Sequence, residues 1–537
     1  MQNDSQCSTD NTDAAPATQD QYDVVVIGAG HNGLTAAAML AKNGRRLLVV
    51  ERRDIVGGLA AGEEFHPGFK TSGLLHDTSG VREDVLQALD LERFGLRLNS
   101  EPPAIFAPQE PGQGTGLLLS HDPDTAASEI TELSADDAER YADYRGFLGR
   151  IRGFVGGLLR DPPPDLSTNG WAGLLPLAHR GWALRRLGKK DMMELLRIAP
   201  MCVADWLGEW FESELLKSLL AGPAVYGTFA GPRSPGSNAN LLRAEVLAGQ
   251  AVKGGPRSLI DALAAAARDN GVEIRTGAEV RDIRISDGRV NGVILADGES
   301  IDAAIVVASC DPKRTFLQMV NSRVVSVSFV HRIKNLRMRG TTAKVNLALN
   351  KPLRFACRPD LEVEYARTGK SLKEMERSFD AVKYGRFSST LILDIHVPSV
   401  RTPALAPPGH SVVSILAHFV PYSIKGGWND RLRVQLGDTI VDALSRYAPE
   451  VRSAIVGCEV LSPADLEQRY GLTGGHIHHG EHGLDQLLVR PCPECARYGT
   501  PIAGLYLCGS GSHPGGGLTC APGANAASVI INRRPGS

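Results

Sequence analysis

The segment Tyr22-Asp-Val-Val-Val-Ile-Gly28-Ala-Gly30-His-Asn-Gly33 constrains this chain more than any other. The apolar β-branched run Val24 to Ile27 reads as a strand, and three glycines follow at the spacing of a dinucleotide-binding turn. Gly28 lets the backbone turn tightly off the strand. Gly30 has no side chain, so the backbone can approach a pyrophosphate. Gly33 lets the next helix pack close to the sheet. Phosphates then sit on free N–H groups at the positive end of that helix. An Ala-rich amphipathic stretch, Leu34 to Lys42, continues as the helix, and Gly44 stops it. Glu51 ends the next apolar run, Leu47 to Val50, where an acid accepts hydrogen bonds from a ribose. With 58 glycines among 537 residues the GxGxxG spacing alone is weak, and the flanking strand and helix give it weight. The expectation is a βαβ unit that binds an adenine dinucleotide.

At 537 residues the chain is too long for one ordinary domain, and two are expected. Apolar content of 43% with 22% charged residues is that of a globular protein. A net charge of −2 gives no electrostatic reason to expect nucleic acid. No apolar run reaches the ~18–20 residues of a membrane span. Residues 1–20 are polar and acidic and read as a disordered tail without signal or transit character. The nine cysteines follow no framework spacing, which favours a reducing, cytoplasmic location.

Nucleotide-type signals fall at the start, near 250–315 and at the end. A Pro/Gly loop lies at Ala107–Gly116, and residues 125–250 read as mostly helical, broken at Asp161-Pro-Pro-Pro-Asp165. Strand-like pieces follow at Val272–Thr276, Ala278–Ser286, Gly288–Leu295 and Ala303–Ser309, with Asp287-Gly288 and Asp297-Gly298 as hairpin turns. Further strands are expected at Ala343–Leu349, Thr390–Ile395 and Ser411–Phe419, a helix near Arg431–Tyr447, a strand at Leu505–Cys508 and a helix over Ala521–Asn532. The expected fold class is α/β: one discontinuous Rossmann-like domain at 21–124, 251–330 and 491–537. An α+β substrate domain is inserted as a helical piece at 125–250 and a mixed sheet at 331–490.

Several stretches carry a wider resemblance: Gly30-His31-Asn32-Gly33, Glu51 with Gly57-Gly58, and Thr342-Ala-Lys344-Val-Asn346. Two more are Gly474-Gly-His476-Ile-His-His479-Gly-Glu481 and Gly504-Leu-Tyr-Leu-Cys-Gly509-Ser510-Gly-Ser-His513-Pro-Gly-Gly-Gly517. Together they resemble the FAD-dependent oxidoreductases of the phytoene desaturase and amine oxidase superfamily, over nearly the whole chain after residue 20. The resemblance implies a GR2-type domain with non-covalent FAD. Gly28, Gly30 and Gly33 would hold the pyrophosphate, and Glu51, with Arg52 beside it, the adenosine ribose. Gly57 and Gly58 would cross the cofactor closely, and the backbone of Val280 would meet the adenine. Gly509, Ser510, Gly517 and Leu518 would line the ribityl chain and flavin. The C-terminal helix, with Pro522 in its first turn, would aim its positive end at the flavin's pyrimidine edge, where a reduced flavin is anionic. Two departures stand out: Leu59-Ala60 where many relatives have Arg after the Gly pair, and Ser510 where many have Asp. No Cys-x-x-Cys lies in the first domain, so disulfide-reductase chemistry is not expected.

FAD carries the hydride chemistry and the protein positions the substrate, so catalytic candidates are few. Lys344 sits where amine oxidases carry a lysine that binds flavin N5 through a water; a structural salt bridge or surface position is the alternative. His479 is a candidate near flavin or substrate, or else part of a hydrogen-bonded loop, and His513 in the late Gly loop is a candidate substrate contact. The cluster His476 to His482, with Cys492 and Cys495 downstream, has the residue types of a zinc site, but the family shows the same His residues without metal, and none is expected. The basic, apolar-interleaved stretch Ala178–Lys190 could lie on an anionic membrane or be a solvated helix face. The expected reaction is dehydrogenation, saturation or isomerisation at a C–H bond of a small apolar, polyene or isoprenoid substrate. The alternatives are a flavin-bearing regulator with a respiratory-chain protein partner, and an amine oxidase, although the C-terminal aromatic pair of that class is missing. Substrate identity, electron acceptor and oligomeric state are not legible.

Overall fold

The computed structural model describes residues 22–164 and 171–533; the expected tail at 1–20 lies outside them. Two seven-stranded sheets organise the chain. In the first, Glu273–Arg275, Leu47–Val50, Tyr22–Ile27, Ser300–Ala308 and Leu505–Leu507 run parallel in that spatial order. Such strands are covered on both faces and need continuous apolar runs. Val24 and Val26 enter one core with the helices, while Val25 and Ile27 enter the core on the other face. The hairpin Val280–Ser286 and Arg289–Leu295 joins antiparallel to the first residues of Ser300–Ala308. Its turn residues Asp287 and Gly288 both have positive φ, 49° and 70°, as a tight hairpin turn requires.

Helix His31–Lys42 packs its Leu34, Ala38 and Leu40 into the first core, against helices Gly255–Asp269 and Ala521–Asn532. Gly44, at φ 79°, ends it as expected.

The second sheet is ordered Ile455–Leu461, Thr342–Leu349, Ser411–His418, Ile392–His396, Tyr365–Arg367, Ile105–Ala107, Leu117–Leu119. In the sequence, residues 105–119 fall in the expected first piece of the Rossmann-like domain, 21–124, with Ala107–Gly116 read as a loop; the structure forms strands Ile105–Ala107 and Leu117–Leu119 there. They belong here because Tyr365 pairs in parallel with Ile105 across 260 positions of sequence, a non-local bond that no local pattern announces. Ile455–Leu461 gives no strand signal in the sequence because Gly457 and Glu459 break its apolar run and its residues are half-exposed.

One face of this sheet, with Val345, Leu347, Ile415 and Ile395, packs on Leu436, Ile440 and Leu444 of helix Asp430–Ser445. The opposite face carries polar side chains and is also buried. A fourth core is mostly helical: Tyr144 of Ala135–Arg160 meets Trp206 and Phe211 with ring centroids 5.4 Å apart in both cases.

Candidate functional site

The glycine turn and its helix open onto a cleft lined by Gly28, Gly30, Gly58, Glu51, Val280 and Ser510, among others. Gly28 has φ 98°, which side-chain-bearing residues rarely adopt. A Cβ on Gly33 would come 2.0 Å from the Gly28 carbonyl oxygen, whereas one on Gly30 would meet nothing nearer than Gly58 Cα at 4.0 Å. The first glycine therefore serves the turn, the third close packing, and the second leaves free space. No side chain caps the helix, and its first turn holds no acid, so its leading N–H groups remain available to an anion.

Glu51 is held by two backbone donors, Ala29 N–H on Oε2 at 2.8 Å and Arg53 N–H on Oε1 at 3.0 Å. Each oxygen keeps a further lone pair for a ribose hydroxyl. Arg52 lines the same cleft, while its guanidinium donates to the carbonyls of Gln468 and Arg469, the latter at 2.7 Å. Gly57 donates to Ala29 O at 2.8 Å and brings Gly58 against Gly30. Four cleft residues carry buried polar atoms without partners: His31 Nε2, Asn32 Oδ1, Arg53 Nη1 and His479 Nδ1. Orphaned atoms of this kind fit a polar ligand. Burial holds His31 and His479 down at about 4, so both are neutral near pH 7. His479 also has φ 55°, a strained backbone for a non-glycine residue.

A larger cavity lies between the late glycine loop and the polar face of the second sheet, lined by Gly517, Leu518 and Thr519 on one side and by Arg367, Asp394 and His418 on the other. Helix Ala521–Asn532 starts directly after Thr519 and has no acid in its first turn. Of the other residues expected at the flavin, Ser510 lines the nucleotide cleft and its Oγ accepts from Asn32 Nδ2 at 3.3 Å. Gly509 lines neither space. Its Cβ would sit 2.3 Å from Ser309 O, so it is a packing glycine.

Lys344 is 1% exposed and does not line the cavity itself. Its Nζ donates to Leu74 O at 3.0 Å and contacts His76 Nε2, and His76 does line the cavity. Burial drives the Lys344 amine well below its ordinary value. His479 belongs to the nucleotide cleft and not to the large cavity. His513 is corrected outright: it lines neither space, and its ring nitrogens face Leu487 O at 3.3 Å and Leu158 O at 2.9 Å. It ties the glycine loop to the end of helix Ala135–Arg160. The His476 ring faces Glu481 at 3.3 Å and accepts from the backbone of His478. Among the described residues no group of three or more His, Cys, Asp or Glu is arranged around a metal position.

Sequence reasoning missed His76, Tyr226, Arg367, Asp394 and His418. A signal existed. Thr342, Lys344 and Asn346 alternate with apolar residues, as do Ser414 and His418, and Asp394 and His396. Alternation normally marks a solvated face, but strands 342–349 and 411–418 are buried at every residue. A polar face that stays buried is a site wall.

The profile of an NAD(P)-binding Rossmann-like domain matches residues 26–82, and that of an FAD dependent oxidoreductase matches residues 227–359. The chain is 34% identical to pyridine nucleotide-disulfide oxidoreductase domain-containing protein 2 of Rattus norvegicus, over 95% of this chain and 93% of that protein. It is 30% identical to one of the limonene dehydrogenase subunits of Castellaniella defragrans, over 95% and 94%. A crystal structure of an oxidoreductase from Methanosarcina mazei shares the fold, with TM-score 0.60, 19% identity and coverage of 95% and 100%. The glycine turn, the orphaned cleft atoms and these likenesses agree on FAD as the cofactor. The chain belongs to the FAD-dependent oxidoreductase family that includes pyridine nucleotide-disulfide oxidoreductase domain-containing protein 2.

Proposed function

We propose that the protein dehydrogenates, saturates or isomerises a mostly apolar, isoprenoid-type substrate at a C–H bond, inside the large cavity. The observation that carries this reading is the cavity's position: it runs from Gly517 and Leu518 of the late glycine loop to the second sheet, between apolar walls that include Leu219, Leu220, Leu416 and Ile477. FAD, when bound, supplies the hydride chemistry. The chain's own part is to hold an apolar body away from water and to manage a proton at the cavity wall. His76 faces the cavity, and burial with Lys344 behind it keeps the ring unprotonated, a weak base at the wall and our candidate for taking the proton. That a 30% identical relative is named as part of a limonene dehydrogenase supports an alkene-bearing isoprenoid.

Uptake of such a substrate from a membrane surface belongs to the same proposal. Leu175, Leu177 and Trp182 are 62%, 41% and 58% exposed on helix Trp171–Arg186, which also carries Arg180, Arg185 and Arg186. Among the described residues no helix is long and apolar enough to cross a membrane, so contact would be peripheral.

The test is anaerobic absorption spectroscopy of the purified flavoprotein with isoprenoid alkenes, amines, NADH and NADPH. Bleaching of the flavin bands by isoprenoids supports the proposal. Bleaching by amines alone replaces it with an amine oxidase. Bands that no donor bleaches overturn it in favour of a flavin-bearing binding protein.

A further inference from the structure

The polar wall of the cavity is organised by strand register. Lys344 pairs with Leu416, Leu416 with Asp394, and Asp394 with Arg367, so one row crosses four strands. Thr342 and His418 form part of the next row. Within this wall Arg367 donates Nε to Asp394 Oδ1 at 3.0 Å, which fixes the plane of the guanidinium. Its two terminal nitrogens have no hydrogen-bond partner among the described residues. The other guanidiniums lining the cavity are committed: Arg145 to Glu245 at 2.7 Å, and Arg243 to the carbonyls of Pro514 and Gly516.

Around Arg367 stand two further groups without partners. The His418 ring lies flat on Tyr226, centroids 3.8 Å apart at 5°, and Arg367 sits 5.6 Å from the centroid of the same Tyr226 ring. His418 Nδ1 faces Thr342 Oγ1 at 3.3 Å, while its Nε2 is buried with nothing to bond, and His418 itself is 1% exposed. With the Thr342 hydroxyl donating to Nδ1, Nε2 carries the proton and is a donor. The Tyr226 hydroxyl likewise has no partner among the described residues. A guanidinium edge, an imidazole N–H and a phenol thus line one stretch of wall, and all three can donate. Of the three, His418 Nε2 is the buried unpaired atom, which is costly, and an oxygen acceptor in the cavity relieves it while pairing with the guanidinium edge and the phenol that open onto the same space. A carboxylate matches the planar fork of Arg367 in geometry.

We infer that this wall is a carboxylate-recognition site anchored by Arg367, so that the substrate is an apolar chain ending in an acid. The inference rests on the cavity being the substrate site, as proposed above. Asp394 and the exposed Asp77 at the cavity wall make a cation the rival occupant.

The experiment uses one skeleton with three heads. Farnesoate, farnesol and farnesylamine are titrated into the FAD-loaded protein by calorimetry, and flavin bleaching is recorded separately. The expected result is that farnesoate binds roughly tenfold or more tighter than farnesol, the range of a hydrogen bond to a charged group. Arg367→Gln should bring the acid down to the level of the alcohol and leave the alcohol unchanged. Tyr226→Phe should weaken the acid by a smaller factor, in a protein whose packing is kept. Because Arg367→Gln strands Asp394, the pair Arg367→Gln with Asp394→Asn is tested as well and should lose the acid equally. Equal affinity for acid and alcohol, tightest binding of the amine, or full acid affinity in the double variant would each overturn the inference. Acid binding that depends on Arg367 without any bleaching keeps this site and removes the proposed reaction. Bleaching with no preference for the acid does the reverse.

Discussion

Lys344 and His513 were both candidates for contact with the reacting groups, and their surroundings separate them. Lys344 is enclosed, yet among the described residues its only side-chain neighbour by hydrogen bonding is His76, a wall residue of the cavity. It is a positioning residue. Burial first, and Lys344 second, hold His76 well below its ordinary value. Removing the amine in Lys344→Met lifts the second cause, so His76 gains its proton at higher pH. If a neutral His76 accepts the proton, the acid limb of the turnover profile moves to higher pH, while FAD content stays at the wild-type level. Stopped-flow bleaching across pH checks this, and an unmoved limb removes His76 from the reaction. His513 is the opposite case. His513→Leu removes the single N–H that the neutral ring donates to one of the Leu158 and Leu487 carbonyls and should cost about 1–3 kcal/mol of stability through an unpaired buried group. Substrate affinity should not change. A loss of affinity at unchanged melting temperature would return His513 to the site.

At the scale of elements, the nucleotide unit depends on how closely helices His31–Lys42 and Ala521–Asn532 approach. A Cβ on Gly523 would lie 2.2 Å from Asn32 O, a backbone atom that cannot swing away. Gly523→Ala therefore forces the helices apart, at the ~1–3 kcal/mol typical of overpacking. It should also weaken FAD binding, since Asn32 and the first turn of His31–Lys42 line the cleft. Urea denaturation and FAD titration measure the two effects; a variant with wild-type values in both would show the contact to be soft. These two helices and the strand before them were legible in the sequence because parallel strands and their helices write their environment locally. Val24 to Ile27 is apolar throughout, and the glycines sit at fixed offsets. The second sheet was only half legible. Ser411–His418 and Thr342–Leu349 were found by their apolar residues, which make the core with helix Asp430–Ser445. Their polar residues were passed over, apart from Lys344, because alternation in an isolated strand says nothing about which face meets water. Ile105–Ala107 was not seen as a strand for the same reason: its partner, Tyr365–Arg367, is remote in sequence.

For the whole molecule, a set of histidines is buried at the glycine turn, the late glycine loop and the second sheet. His31 lies on the first domain's helix, His513 on its late glycine loop, His418 on the second sheet, and His479 on the loop after helix Pro463–Tyr470. Burial is the leading cause in each case and pushes His31, His479 and His513 down to about 4 and His418 to about 3. In the unfolded chain the same rings titrate near ~6.5. The unfolded state therefore binds protons first as the pH falls. Stability is at its full value above about pH 6.5 and declines as the pH drops toward about 4, by roughly 1.4 kcal/mol per pH unit for each ring still neutral in the fold. Acting together, the rings make mild acid a cooperative unfolding signal for the closed, cofactor-binding form. Calorimetric melting between about pH 7.5 and 4.5 should show a falling melting temperature with net proton uptake on unfolding. FAD in excess should raise the whole curve, because ligand that binds only the folded state stabilises it. A melting temperature that stays flat from pH 7 to about 5 would mean that these rings already carry protons in the folded protein, and the neutral donor role assigned to His418 would fall with it.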